Sequence, residues 1–332
     1  MKQNKIGEKL SQMQRQKIDE KQIVDSVCRE LNFVSEKTLH KSFYWKSDVF
    51  GALLILGKFG DKKAVLKIQL AKLETSEYDM IQNLAKFNQS SLIRPPKIYA
   101  HLPYKGTYEA LILEYLQGQK IVGSPTNEEE IKEFFKYWQD YRANCCSHSW
   151  LEKPKESLFT YIQKRFLSWQ KIALEQKKEK WLNYQLDESL IKQILAIFQK
   201  ETRKMDWDFC HGHLSKNDLP LVDGKVVITS NIYWGYRWPF YDAVFAYHWY
   251  ILEILNDFGF AKVEGQEKLW LDAIYKLTKN ERDLRLLKIA LLERLCGRML
   301  IDIFMLSIEK EELKLFWEKS LADLQKLIKE LK

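Results

Sequence analysis

The stretch WDFCHGHLSKNDLPLVDGKVVITSNIYW, which runs from Trp207 to Trp234, decides how the chain is interpreted. Two short runs of β-forming residues flank the sequence VDGK, a combination typical of a β-hairpin. One polar loop precedes the hairpin and a second follows it. His211 and Asn231 lie in these two loops, twenty positions apart, which is about what two short strands and a turn require. The stretch therefore predicts a small β island that presents two polar loops side by side.

Around this island the chain changes character twice. Residues 128–205 and 240–332 are patterned almost entirely as helices, whereas residues 42–118 contain strand-like runs, a GKFGDKK turn and one helical segment. We therefore predict an α+β chain with a small β-rich N-terminal lobe that has one helix, and a large helical C-terminal lobe that contains the β-hairpin. The predicted divisions are a helical extension at 1–40, the small lobe at 41–117, and the helical lobe at 118–332 with its island at 206–242.

The composition favours a globular protein. Of the 332 residues, 46% are hydrophobic and 30% are charged, and the charges are interspersed, which argues against disorder. The net charge of +8 comes largely from lysines spread along helical segments, so it predicts solvated helix faces and a surface that can attract an anionic substrate. Because the sequence has no zinc-ligand spacing, stacking motif or compact arginine cluster, it predicts no nucleic-acid partner.

The cysteines and the apolar stretches bear on localisation. Five cysteines at irregular spacing predict reduced thiols in a cytoplasmic protein. The N-terminal residues are polar and contain no apolar signal core. The longest apolar stretches, AVFAYHWYILEIL and MLIDIFML, are too short to cross a membrane. We therefore assign them to core helices and expect no membrane association.

A lysine in a strand-like run is a candidate for a binding role. Lys67 lies in the sequence AVLKI, where a buried ammonium group would need a partner or a ligand. The helical segment that follows offers Glu74 and Glu77, and Glu77 lies near the apolar face of that segment. The alternative is that Lys67 extends from an edge strand into solvent.

Taken together, these motifs resemble the aminoglycoside phosphotransferase and choline kinase family of protein-kinase-like folds. That family has His-Gly-Asp in its first loop, Asn five residues after the Asp, then a strand pair, Ile-Asp-aromatic, and Pro-x-Tyr-Asp. Here His211 and Gly212 match the first motif, and WPFYDAV supplies the last one, which ends at Asp242. The small-lobe segments AVLKI, IRPPKIYA and LILEYLQG follow in the same order, so the resemblance covers about residues 40–250.

The resemblance implies a two-lobed kinase-like fold and roles for particular residues. Lys67 and Glu77 would form the ion pair that holds the phosphates of ATP. The backbone around Glu114 to Leu116 would pair with the adenine edge. In the helical lobe, the resemblance implies that His211 and Asp242 order the catalytic loop.

The catalytic positions depart from the family pattern. The catalytic base, an Asp in the family, is replaced by His213. The first metal ligand, an Asn in the family, falls on Asp218, or on Asn217 if the loop is one residue shorter. The second metal ligand, an Asp in the family, falls on Asn231, or on Ser230 in a shifted alignment. Mg²⁺ prefers carboxylate and water oxygens, so these replacements predict weakened or lost metal binding. A neutral His213 can still accept a proton.

Three hypotheses follow. The first is a pseudokinase, or a strongly impaired phosphotransferase, that still binds a nucleotide, a small molecule or a protein partner. The second is an active ATP-dependent kinase of an aminoglycoside, choline or sugar that uses His213 and Asp218 unconventionally. The third is an interaction protein on a kinase-like scaffold without a ligand. The sequence identifies no acceptor, because the helical segments that would bind it carry no readable motif.

Overall fold

A computed structural model describes residues 20–43, 50–70, 76–105, 108–116, 121–180, 186–215, 218–306 and 308–332. The chain divides into two compact units. The N-terminal unit comprises residues 1–86 and 94–119, and the C-terminal unit comprises residues 87–93 and 120–332.

The first part of the chain builds a five-stranded antiparallel sheet in the order β1-β2-β3-β6-β5. Its elements are α1 (Glu20–Glu30), β1 (Phe33–Phe43), β2 (Phe50–Phe59), β3 (Lys62–Leu70), α2 (Glu77–Phe87), the short β4 (Ile93–Arg94), β5 (Ile98–Lys105) and β6 (Tyr108–Glu114). The predicted GKFGDKK hairpin is confirmed as the β2–β3 pair, with Gly60 and Asp61 at its turn.

The alternation of side chains along β3 determines where Lys67 lies. Ala64, Leu66 and Ile68 are fully buried in the hydrophobic core of the N-terminal unit. Because neighbouring side chains in a strand point to opposite faces, Lys67 lies on the other face of the sheet. β3 is an inner strand between β2 and β6. The alternative of a lysine on an edge strand is therefore wrong.

The predicted helical extension needs a correction. The helix ends at Glu30, and Asn32 adopts φ 51°, a left-handed conformation that stops a helix. Phe33 then begins strand β1, paired with Phe59, so residues 33–40 are strand and not helix. Residues of α1 belong to the core of the sheet, among them Ile23 and Val27. Residues 1–19 lie outside the described residues.

The C-terminal unit is mostly helical, as predicted. Its helices are α3 (Glu128–Asn144), α4 (Leu158–Lys180), α5 (Glu188–Thr202), α6 (Tyr241–Phe258), α7 (Phe260–Tyr275), α8 (Glu281–Leu300) and α9 (Lys310–Leu331). Three of these helices begin at a side chain that caps a backbone N–H of the first turn, namely Asn127, Asp187 and Asn280. Helix α6 packs against α7 and α8. No helix within the described ranges is both long and apolar enough to span a membrane.

The predicted β island lies between α5 and α6. Strand β8 (Leu221–Val222) pairs with β9 (Lys225–Val227) around a turn at Asp223 and Gly224, whose φ angles of 51° and 74° fit a tight hairpin turn. Strand β7 (Asp208–Cys210) precedes this hairpin and pairs with β10 (Gly235–Arg237), which follows it. The hairpin predicted from VDGK is confirmed.

A buried carboxylate fixes the start of α2. Glu109 on β6 is fully buried and accepts hydrogen bonds from the backbone N–H groups of Glu77 at 2.9 Å and Tyr78 at 3.4 Å. It also accepts from Gln69 Nε2 at 3.0 Å, and His101 Nε2 lies 3.1 Å away. A carboxylate at a helix N-terminus is favoured by the helix dipole. Glu109 therefore holds the turn of helix that carries Glu77.

We predict that Glu109→Ala lowers the free energy of unfolding by about 1–3 kcal/mol, because the substitution leaves buried donors without an acceptor. Urea denaturation followed by circular dichroism measures the change. The matched control is Asp79→Ala, which removes an exposed carboxylate from the same helical turn and should cost under about 1 kcal/mol. Equal losses in the two variants would contradict the role given to Glu109.

Candidate active site

A buried carboxylate at the start of α6 fixes the loop after β7. Asp242 Oδ1 accepts the backbone N–H of Gly212 at 2.9 Å, and its Oδ2 accepts the hydroxyl of Tyr141 at 2.5 Å. The Tyr141 oxygen in turn accepts the backbone N–H of His211 at 2.5 Å. Gly212 has φ 74°, and a Cβ there would lie 3.0 Å from the carbonyl oxygen of Tyr233, so the loop requires glycine.

His211 joins this first loop to the end of β9. The side chain is fully buried, and its Nε2 donates to the carbonyl oxygen of Thr229 at 2.9 Å. Burial lowers the pKa of His211 to about 4, so the imidazole is neutral at physiological pH. His211 and Asp242 thus both support the loop through hydrogen bonds.

His213, at the position of the family's catalytic base, is paired with Asp218. The His213 Nδ1 lies 3.0 Å from Asp218 Oδ2. The same oxygen accepts from the backbone N–H and the hydroxyl of Ser215, at 3.0 and 2.6 Å. Asp218 Oδ1 accepts from the hydroxyl of Thr229 at 3.5 Å. The buried carboxylate of Asp218 is therefore engaged by groups from both loops.

The protonation state of this pair follows from its surroundings. Burial raises the pKa of Asp218, but the hydrogen bond and charge of His213 and the other nearby donors outweigh burial and lower the pKa to about 2. The ionised carboxylate can only accept, so the proton between the two residues lies on His213 Nδ1. Whenever the ring is neutral, Nε2 is then the atom that can accept a proton. The His213 side chain is 33% exposed and stacks on Tyr233 with ring centroids 4.2 Å apart.

Asn231, the predicted second metal position, has its side chain engaged in the core. It is fully buried, its Nδ2 donates to the carbonyl oxygen of Ile228 at 2.8 Å, and its Oδ1 accepts from Trp234 Nε1 at 3.0 Å. Binding a metal through Oδ1 would compete with the bond to Trp234. Ser230, the alternative position, is partly exposed and has φ 55°, in the left-handed region.

The described side chains at the predicted metal positions already form hydrogen bonds within the protein. Within them, no group of three or more His, Cys, Asp and Glu side chains is arranged to hold a metal. Asp218 is engaged by His213 and Ser215, and Asn231 by Trp234. Asn217, the other predicted ligand position, lies outside the described residues.

In the N-terminal unit the structure brings Lys67 and Glu77 together. Lys67 Nζ lies 2.6 Å from Glu77 Oε2, and the two side chains are 12% and 2% exposed. Removing either partner of such a buried pair leaves an uncompensated charge. The pair therefore has the arrangement that the resemblance implies for holding phosphates.

The predicted adenine-binding segment begins at the end of β6. The side chain of Glu114 accepts from Arg94 Nη2 at 3.1 Å and from the backbone N–H of Lys97 at 2.8 Å. The Glu114 backbone N–H donates to the carbonyl oxygen of Lys97 at 3.0 Å. Since this N–H is already bonded, it is not open to a base edge. Leu116 lies two residues beyond the strand and is partly buried.

Sequence reasoning missed several residues of this site. Tyr141 contacts Asp242, 101 positions away, and no spacing in the sequence signals that contact. Ser215 was missed although it lies three residues before Asp218, a spacing at which a serine commonly bonds a carboxylate in a turn. That spacing was the one signal that could have been used.

Comparisons with known proteins define the fold. Neither the protein-family models nor the curated proteins contain a match to this chain. Among solved structures, a thermostable mutant of aminoglycoside phosphotransferase APH(4)-Ia has a TM-score of 0.54 at 9% identity, over 92% of this chain and 96% of that chain. Choline kinase from Cryptosporidium parvum Iowa II has a TM-score of 0.53 at 14% identity, over 94% and 97%. A microcompartment-associated aminopropanol kinase has a TM-score of 0.51 at 11% identity, over 91% and 95%.

At these identities the likeness establishes the fold and not the activity. The chain has the two-lobed α+β protein-kinase-like fold that aminoglycoside phosphotransferases and choline kinases share. The resemblance read from the sequence motifs is thereby confirmed at the level of the fold.

We predict that Asp218→Asn lowers the free energy of unfolding at pH 7 by about 2 kcal/mol, the value of a pKa lowered from 3.8 to about 2. Because the folded-state pKa is the lower one, this stabilisation is complete above pH ~4. It is lost as the pH falls through about 2. Denaturation curves of both proteins across this range measure it.

The control for this prediction is Asp223→Asn, an identical change at the exposed hairpin turn. It should alter stability by less than about 0.5 kcal/mol at every pH. A difference between Asp218→Asn and the wild type that does not shrink on acidification would contradict the ionised state of Asp218.

Proposed function

We propose that this chain is a phosphotransferase-like protein that binds a nucleotide and whose phosphoryl transfer is strongly reduced or lost. The observation that carries the proposal is the contrast between the Lys67–Glu77 pair and the catalytic loops. The buried Lys67–Glu77 pair is intact at 2.6 Å. In the catalytic loops, however, Asp218 is bonded to His213 at 3.0 Å.

The proposal that the chain binds a nucleotide is supported by its fold and by Lys67. When bound, ATP would supply the transferable phosphoryl group. The ammonium of Lys67, on an inner strand and oriented by Glu77, would contribute positive charge to its phosphates. A structure of aminoglycoside phosphotransferase APH(4)-Ia with ADP and hygromycin B, similar to this chain with a TM-score of 0.53 at 9% identity, supports a nucleotide and a small-molecule ligand for this fold.

The proposal that phosphoryl transfer is reduced or lost is supported by the residues at the two predicted metal positions. Phosphoryl transfer depends on a divalent cation that neutralises the developing charge. Asp218 Oδ2 already accepts from His213 and Ser215, so a cation would bind through Oδ1, which accepts the hydroxyl of Thr229 at 3.5 Å. Asn231 is neutral and bonded to Trp234. Weak metal binding and slow or absent transfer follow from these contacts.

Thermal shift tests nucleotide binding. We expect ATP to raise the melting temperature by a few degrees, because ligand at about 100 times its Kd stabilises a protein by ~2.7 kcal/mol. Lys67→Met should abolish the shift, measured against that variant's own nucleotide-free melting temperature. Lys62→Met is the matched control, since Lys62 is exposed on the same strand.

The control variant should retain the full ATP-induced shift. Absence of a shift in the wild type, with and without Mg²⁺, would contradict nucleotide binding and leave the interaction-protein hypothesis. An equal loss of the shift in both variants would show a general charge effect instead of a role for Lys67.

The second candidate function is an active small-molecule kinase with His213 as the base. The orientation of His213 by ionised Asp218 favours it, because such a pair holds a neutral imidazole ready to accept a proton from a hydroxyl. An ADP-release assay across aminoglycosides, choline, ethanolamine and sugars tests this candidate. Turnover that His213→Ala reduces at least ~100-fold would establish it, and absence of turnover with every acceptor would eliminate it for these classes.

Restoring carboxylates distinguishes the two candidate metal positions. We predict that His213→Asp combined with Ser230→Asp gains Mg²⁺-dependent ATP hydrolysis, since position 230 is partly exposed. His213→Asp combined with Asn231→Asp should instead lose about 1–3 kcal/mol of stability, because it removes the donor to Ile228 from a buried site. The reverse outcome would show that position 231 carries the metal ligand.

A further inference from the structure

A cavity of about 120 Å³ lies among helices α6, α7, α8 and α9 of the C-terminal unit. It contains none of the candidate active-site residues described above. An engineered apolar cavity of about 150 Å³ accommodates benzene, so this one suits a ligand of about one ring. Part of its wall is apolar, formed by Val244, Leu271, Leu291, Leu295 and Leu327.

The carboxylates that line the cavity already have cationic partners. The pairs are Glu267 with Arg298 at 3.2 Å, Asp323 with Lys319 at 2.6 Å, and Glu330 with Lys288 at 2.9 Å. Glu267 also accepts the hydroxyl of Tyr247 at 2.5 Å. The negative charges of the wall are therefore balanced by the protein itself.

Arg294, which also lines the cavity, has two carboxylates within ion-pair distance, but neither accepts a hydrogen bond from it. The residue is only 5% exposed. Its nearest carboxylate oxygens are Glu293 Oε2 at 3.7 Å and Asp302 Oδ2 at 3.9 Å, both beyond hydrogen-bond distance. Arg294 Nε is buried without a hydrogen-bond partner within the described part of the chain. A buried guanidinium with unmet donors is costly unless a ligand meets them.

The fold makes room for this guanidinium. A Cβ at Gly297, one turn further along α8, would lie 1.8 Å from Arg294 Nη2. The guanidinium carbon lies 5.0 Å from the ring of Trp169 and 5.9 Å from that of Phe245. Glycine on one side and aromatic faces on the others hold the guanidinium without meeting its donors.

Two further groups of the wall match a polar ligand. Lys326 is exposed and forms no ion pair with the described residues, so it adds a positive charge at the cavity. His248 donates through Nε2 to Asp302 at 2.8 Å, and its buried Nδ1 has no partner among the residues that the structure describes. The groups open to a ligand are thus the Nε–H of Arg294, the ammonium of Lys326 and the Nδ1 acceptor of His248.

We propose that this cavity binds a small carboxylate or phosphate that carries an apolar ring-sized body. Arg294 anchors the anion, because its planar fork matches the oxygens of either group. Lys326 adds charge, and the leucine and valine side chains bury the body. The site is separate from the proposed function, since it needs no nucleotide and no residue of the catalytic loops.

Calorimetric titration of the full chain without nucleotide tests the proposal. The probes are benzoate and phenyl phosphate, with benzyl alcohol and benzylamine as neutral and cationic analogues of the same ring. We expect at least one of the two anions to bind ten times more tightly than either analogue, with affinity that falls as salt rises. Whichever anion binds more tightly identifies the preferred group. Equal binding of all four probes, or no binding of either anion, would overturn the proposal.

Variants then assign the binding to these residues. Arg294→Met should weaken anion binding at least tenfold, and Lys326→Gln about threefold while keeping the fold, because residue 326 is exposed. Lys329→Gln is the control, an identical change at an exposed residue of the same helix that does not line the cavity. If Lys326→Gln and Lys329→Gln bind the anion equally tightly, Lys326 has no part in the site. If Arg294→Met folds and binds like the wild type, the proposal fails.

Discussion

The ionised carboxylate of Asp218, buried where the two loops of the β island meet, is the group on which the chemistry of the candidate active site depends. It accepts hydrogen bonds from His213 and from Ser215 in the first loop, and from Thr229 at the end of β9. A buried carboxylate is tolerated only when such donors surround it. The same bonds that stabilise Asp218 place the proton of the shared bond on His213 Nδ1.

The rest of the island is organised around hydrogen bonds to two buried side chains. Asp242 holds the first loop through Gly212 and Tyr141, and neutral His211 joins it to Thr229. A scaffold of this kind can persist while the catalytic residues change.

Local patterns in the sequence predicted much of the fold, because hairpin turns and helical periodicity depend on residues that are close together in the chain. The VDGK hairpin, the helical character of the second half and the pairing of Lys67 with Glu77 all follow from short-range periodicity or from motif order. Strand β1 was missed because it follows directly on a helix and only the left-handed Asn32 marks the change. The bond of Asn231 to Trp234 and that of Asp218 to Thr229 could not be predicted, because burial and the approach of the two loops depend on tertiary packing.

The central claim is that Asp218 serves His213 and not a metal. Nitrogen-15 NMR of the His213 ring tests it directly, because the two tautomers give different nitrogen shifts. We expect a proton on Nδ1, with its signal unchanged when ATP and Mg²⁺ are added. An unprotonated Nδ1, or a change at Nδ1 on adding Mg²⁺ that shows Asp218 leaving His213, would contradict this role of Asp218.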